Sequence, residues 1–117
     1  MKIFYGPKGS GKTKAILDDA NSKLETAKGH IVFISDTNKN SFDLKYQARF
    51  IDASEFGING EDTLSGFIKG IVAANSDNER IYIDGISRIT LKSVCELKNI
   101  FNAMEELEKK HNVEFIL

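Results

Sequence analysis

The sequence predicts an α/β fold of three layers, with helices on both faces of a mostly parallel sheet of about five strands. Three observations lead there. Apolar runs of strand length near residues 2–5, 30–34, 48–52, 80–84 and 113–117 alternate with segments of helical periodicity, the pattern of strand and crossover helix. The run Ile31-Val32-Phe33-Ile34 is apolar without alternation, as in a strand covered on both faces. Two of these runs deliver an aspartate at or just past their ends, Asp36 and Asp84, where parallel sheets hold their ligands.

Each element has its own signal. Lys2-Ile3-Phe4-Tyr5 combines β-branched and aromatic residues and runs into Gly6. Ile16 or Leu17, Ala20, Leu24 and Ala27 then recur at helical spacing, and Gly29 after Lys28 reads as a helix stop. The second strand closes on Ser35-Asp36-Thr37, and residues 37–43 are polar and loop-like. A short strand at 48–52 and a turn at 57–60 follow. Asp62 or Thr63 is the expected cap of a helix whose stripe is Leu64, Phe67, Ile68, Ile71 and Val72. Gly66 and Gly70 within it each cost about 1 kcal/mol relative to alanine, which points to close packing or mobility there.

After a turn at 75–78, Arg80-Ile81-Tyr82-Ile83-Asp84 reads as a buried strand. One long helix is expected from Leu91 or Lys92 to Lys110, burying Val94, Leu97, Phe101, Met104 and Leu107 or Glu108. Val113 to Leu117 is the last strand. No repeat or low-complexity tract interrupts the order, so residues 1–117 read as one domain.

Composition narrows the function. With 16 basic and 17 acidic residues the net charge is −1, so no global positive field recruits nucleic acid or an anionic membrane, and nucleic acid is not indicated. The single cysteine, Cys95, has no internal disulfide partner and no leader pattern precedes the first strand, which makes the cytoplasm the expected location. No apolar run approaches the ~20 residues of a membrane span. Cys95 beside Val94 reads as core or near-core packing. His30 and His111 have no metal-ligand spacing around them, and His111 suits the negative end of a helix.

The chemistry is concentrated in residues 6–13, GPKGSGKT, which fit the phosphate-binding pattern G-x-x-x-x-G-K-[ST]. Gly6, Gly9 and Gly11 allow backbone angles closed to other residues, so that the backbone of Gly6, Pro7, Lys8, Gly9, Ser10 and Gly11, through the N–H groups of all but Pro7, can turn around a polyphosphate. Lys12 would place its ammonium near the β and γ phosphates, Thr13 would offer its hydroxyl to magnesium, and Lys14 extends the binding set into the helix. The helix's positive end faces the anion. Asp84, at the tip of a buried strand, would hold magnesium through water and accept a hydrogen bond from Thr13; alternatively it ends a strand and opens an Asp-Gly turn.

Together, GPKGSGKT and RIYID resemble the Walker A and Walker B segments of the P-loop NTPases, over most of the chain. The wording of the loop is similar to that of the secretion and twitching-motility ATPases of the RecA-like group. This resemblance implies a P-loop NTPase fold, ATP as ligand and Mg2+ as cofactor, with Lys12, Asp36 and Asp84 as catalytic residues and Thr13 and Asp84 at the metal. Many such ATPases place a glutamate after the Walker B aspartate, where this chain has Gly85. RecA-like enzymes often keep theirs at the tip of the second strand, where this chain has Asp36. Asp36 could activate water, help order magnesium, or simply turn the strand end. The family's polar sensor of the γ-phosphate follows the strand at 113–117, so it is expected beyond Leu117 or is dispensed with.

A small ATPase is the first expectation. A nucleotide-binding module that does not hydrolyse, or a small-molecule kinase, stays open, although a kinase lid would want clustered arginines and Arg49, Arg80 and Arg88 are dispersed. A homo-oligomer or protein partner is left open too; Arg88 could reach a neighbouring subunit's γ-phosphate, or be surface. A GTPase reading is weak: Asn38-Lys39-Asn40 begins like the guanine-reading NKxD motif, but Ser41 stands fourth and no DxxG follows Asp84.

Overall fold

The computed structural model describes residues 1–4 and 11–117. The uninterrupted apolar run forms β1 (His30–Ser35), buried along its length after His30. It lies between β2 (Arg49–Asp52) and β3 (Asn78–Asp84), and β4 (Glu114–Ile116) flanks β3, all parallel, in the order β2-β1-β3-β4. Among the described residues the sheet has four strands. Residues 2–4 lie alongside β4 and pair with it: the Lys2 and Phe4 N–H groups donate to the Phe115 and Leu117 carbonyls, and Leu117 N–H donates back to Lys2. Tyr5 lies outside the described residues, so the first expected strand is seen only in part.

Successive side chains on a strand face opposite ways, and the two faces bury separate cores. Ile31, Phe33, Tyr82 and Ile116 pack with Ile16, Leu17 and Ala20 of α1 (Lys12–Lys23). Val32, Ile34, Ile81, Ile83 and Phe115 pack on the other face against α2 (Glu61–Ala74), α3 (Ile86–Thr90) and α4 (Lys98–Lys110). The result is a three-layer α/β domain. Leu64 and Ile68 are the deepest residues of α2, and truncating either to alanine should cost about 2–5 kcal/mol.

Several elements depart from expectation for identifiable reasons. α1 ends at Lys23, not Lys28, because Glu25 and Thr26 N–H bond three residues back and tighten the last turn. Gly29 is not its stop. A Cβ there would lie 2.2 Å from the Asp77 carbonyl oxygen, so the glycine lets the starts of β1 and β3 approach. α2 begins after Gly60 without a side-chain cap. Glu61 instead is buried and acts at a distance, accepting from Lys92 Nζ at 3.1 Å and from Ile100 N–H in the first turn of α4 at 3.1 Å. Open space surrounds the Cβ positions of Gly66 and Gly70, which removes close packing as their purpose.

The long helix expected from residue 91 is broken. α3 forms directly after Gly85 and ends where Leu91 takes a left-handed conformation, φ 61. Ser93 and Glu96 then make a capping box around a single tight turn, and α4 starts only at Lys98. Val94 and Cys95 are exposed as a consequence, not packed. Leu97, Ile100 and Met104 are buried, with Phe101 and Leu107 partly so. Glu108 ties α4 to β4 and to the segment paired with it, accepting from Phe115 N–H at 2.8 Å and the Met1 amino group at 3.0 Å. No helix among the described residues is long and apolar enough to cross a membrane.

Candidate functional site

Thr13, on the first turn of α1, and Asp84, at the tip of β3, meet through a hydrogen bond from Thr13 Oγ1 to Asp84 Oδ1 at 3.2 Å, across 71 residues of sequence. The packing of Ile16, Leu17 and Ala20 on the sheet fixes the height of α1 above the strand. Asp19 fixes its rotation, accepting from Tyr82 Oη at 2.6 Å and Lys2 Nζ at 3.2 Å. Gly11 enters the helix in the left-handed conformation, φ 85, which a side chain would oppose.

Register does the rest. Ser35 of β1 stands opposite Asp84 of β3, so Asp36 follows at the tip of the adjoining strand. Arg88, one turn into α3, grips it with Nε to Asp36 Oδ2 at 2.8 Å and Nη2 to Asp36 Oδ1 at 3.3 Å. Lys12, Thr13, Asp36, Lys39, Asp84 and Arg88 line one open cleft of about 720 Å³ at the carboxyl ends of β1 and β3.

Asp84 is buried, and burial pushes its carboxyl above the ordinary carboxylate value; nearby Asp36 adds to this, while the Thr13 hydrogen bond and the Arg88 and Lys39 charges oppose it. Three cations, Lys12, Lys39 and Arg88, thus share the cleft with two carboxylates. Such a lining can accept a polyanion together with a divalent cation.

No protein-family model, curated protein or solved structure matches the chain.

Of the residues that the sequence put forward, Gly11, Lys12, Thr13, Asp36 and Asp84 come together in this cleft. Gly6, Pro7, Lys8, Gly9 and Ser10 lie outside the described residues. Lys14 stands apart on the solvent side of α1, its ammonium 2.8 Å from Asp18 one helical turn on. Thr13 and Asp84 offer hard oxygen donors, which suit magnesium, an ion that completes its octahedron with water and phosphate oxygens. Among the described residues no three His, Cys, Asp or Glu side chains gather as a metal cage.

Sequence reasoning missed the Arg88–Asp36 pair. Arg88 is exposed, in keeping with the surface reading, and it also pairs within its own chain across 52 residues. The one signal available was proximity to two strand tips, since α3 begins immediately after Asp84. Lys39 also reaches the cleft, from the polar segment after β1.

Proposed function

We propose that this chain is a Mg-ATP-binding protein of P-loop, RecA-like type that acts as a small ATPase. The observation that carries the reading is the Thr13–Asp84 hydrogen bond at the head of the cleft, which sets the hydroxyl following Lys12 beside a carboxylate on a buried strand tip. In this reading the backbone of residues 6–11 and the Lys12 ammonium would bind the phosphates, and Thr13 and Asp84 would hold a magnesium ion. Magnesium supplies charge neutralisation at the phosphate oxygens. Asp36 is the candidate base: water attacks the γ-phosphorus, its proton passes to the carboxylate, and ADP leaves.

A second reading, nucleotide binding without hydrolysis, is favoured by one observation. Both Asp36 carboxylate oxygens accept from Arg88, so the candidate base is already engaged.

The test is equilibrium binding of Mg-ATP with phosphate release followed over a range of protein concentrations, with Lys12→Ala alongside. Binding lost in Lys12→Ala supports a P-loop site, and equal binding by both proteins overturns it. Turnover abolished by Asp36→Ala with ATP affinity retained supports the base; unchanged turnover removes it. Turnover per chain that climbs with concentration indicates an assembly, and none at any concentration favours the binding module.

A further inference from the structure

Gly85 is the residue beside Asp84, and the space over it is occupied. A Cβ placed there would meet Arg88 Nη2 at 2.6 Å, Asp36 Oδ1 at 2.7 Å and Arg88 Cζ at 3.0 Å. The guanidinium therefore lies directly on the Gly85 backbone, between the tips of β1 and β3. Gly85 itself has φ 84, a conformation that turns the chain into α3 and brings Arg88 back over it. Asp36 holds the group side-on, through Nε and one Nη2 hydrogen. An arginine has five N–H donors. Among the described residues the remaining ones make no further hydrogen bond, and Arg88 lines the same cleft as Lys12 and Thr13.

We infer that Arg88 reads the terminal phosphate of a bound nucleoside triphosphate from within the same chain, with Asp36 as the residue that positions it and Gly85 as the seat that makes room for both. The inference rests on the P-loop reading of the cleft. It gives glycine at position 85 a physical reason: any side chain there would displace the pair. It also gives Asp36 work that does not require it to take a proton. A guanidinium held rigidly by one edge loses little freedom when its free edge meets a phosphate, which makes it a discriminating contact for the group that a diphosphate lacks.

The experiment compares Mg-ATP and Mg-ADP affinities by calorimetry for the wild-type chain, Arg88→Ala, Arg88→Lys, Asp36→Asn and the double variant Asp36→Asn/Arg88→Ala, with thermal stability measured on each. Arg88→Ala should weaken ATP about tenfold to a hundredfold, the loss of a charge-assisted hydrogen bond, and ADP less than about twofold. Arg88→Lys should fail to restore the ATP preference, because an ammonium cannot bind Asp36 and a phosphate through two edges. Asp36→Asn should lower the ATP to ADP ratio in the same direction, and the double variant should be no worse than Arg88→Ala.

A ratio unchanged in all variants, with stability alone reduced, makes the pair a structural tie and overturns the inference while leaving the P-loop reading intact. Restoration of ATP preference on mixing Arg88→Ala with Lys12→Ala chains overturns action within one chain. If the wild-type chain binds neither nucleotide, both readings fall. Asp36→Asn and Arg88→Lys serve if Arg88→Ala does not fold.

Discussion

The Tyr82 hydroxyl donates to the Asp19 carboxylate at 2.6 Å, joining the middle of β3 to the outer turns of α1. Tyr82 is fully buried. Burial and the Asp19 charge push its hydroxyl far above the ordinary phenol value, so it stays a donor at any working pH.

Tyr82→Phe keeps the ring stacked near Phe33 and removes this donor. It should cost about 2 kcal/mol, the worth of a hydrogen bond to a charged group, and lower the melting temperature by roughly 5–10 °C. The Asp19 carboxyl feels burial, which raises it, but the bonds from Tyr82 and Lys2 and the charges of Lys2 and Lys23 prevail and hold it below the ordinary value. A carboxyl so depressed contributes stability above its unfolded value, near pH 4, that is lost as pH falls through the folded one. Urea titrations from pH 6 to 3 should show the gap between wild type and Asp19→Asn closing toward acid.

Asp84→Asn should act in the opposite sense. With the carboxyl raised, the folded state binds protons more readily than the unfolded one, so the group costs stability that is recovered as pH falls. Asparagine can still accept from Thr13 without a buried charge. The variant should be more stable at pH 7 by on the order of 1 kcal/mol, by denaturant unfolding, and, on the proposed function, should lose magnesium-dependent nucleotide binding.

Gly29→Ala and Gly66→Ala should diverge. The first places a methyl group 2.2 Å from the Asp77 backbone oxygen and should destabilise by about 1–3 kcal/mol. The second adds a methyl in open space within α2 and should stabilise by about 0.5–1 kcal/mol. Midpoints of chemical unfolding at a common slope decide both.

Cys95 sits exposed beside Ser93 Oγ at 3.1 Å. A thiol reagent should modify one equivalent of native protein without denaturant and without loss of secondary structure. Modification that needs unfolding would contradict the broken helix.

Strands were the legible part of the sequence. Ile31 to Ile34 and Arg80 to Asp84 declare themselves because burial on both faces demands continuous apolar runs. The helix break was legible too and was read over: Ser93 and Glu96 have capping-box spacing, but the period of Leu97, Phe101 and Met104 extrapolates backwards to Val94 and conceals it. Glu61 on the Ile100 N–H at the start of α4, Gly29 against Asp77, and Arg88 on Asp36 were not legible, since each depends on a partner that only folding brings near. In the cleft, residue types named Lys12, Thr13 and Asp84, whereas the grip on Asp36 belongs to the placement of α3.

The pairing of residues 2–4 with β4 has a consequence in time. Residues 2–4 are synthesised well before their backbone partners Phe115 and Leu117, and the Met1 amino group rests on Glu108, 107 residues on. On the ribosome those partners are missing until β4 has emerged. α1 and the β1–β2 pair can assemble early, but residues 2–4 wait for β4, a closure over more than a hundred residues that makes this edge of the sheet slow to form.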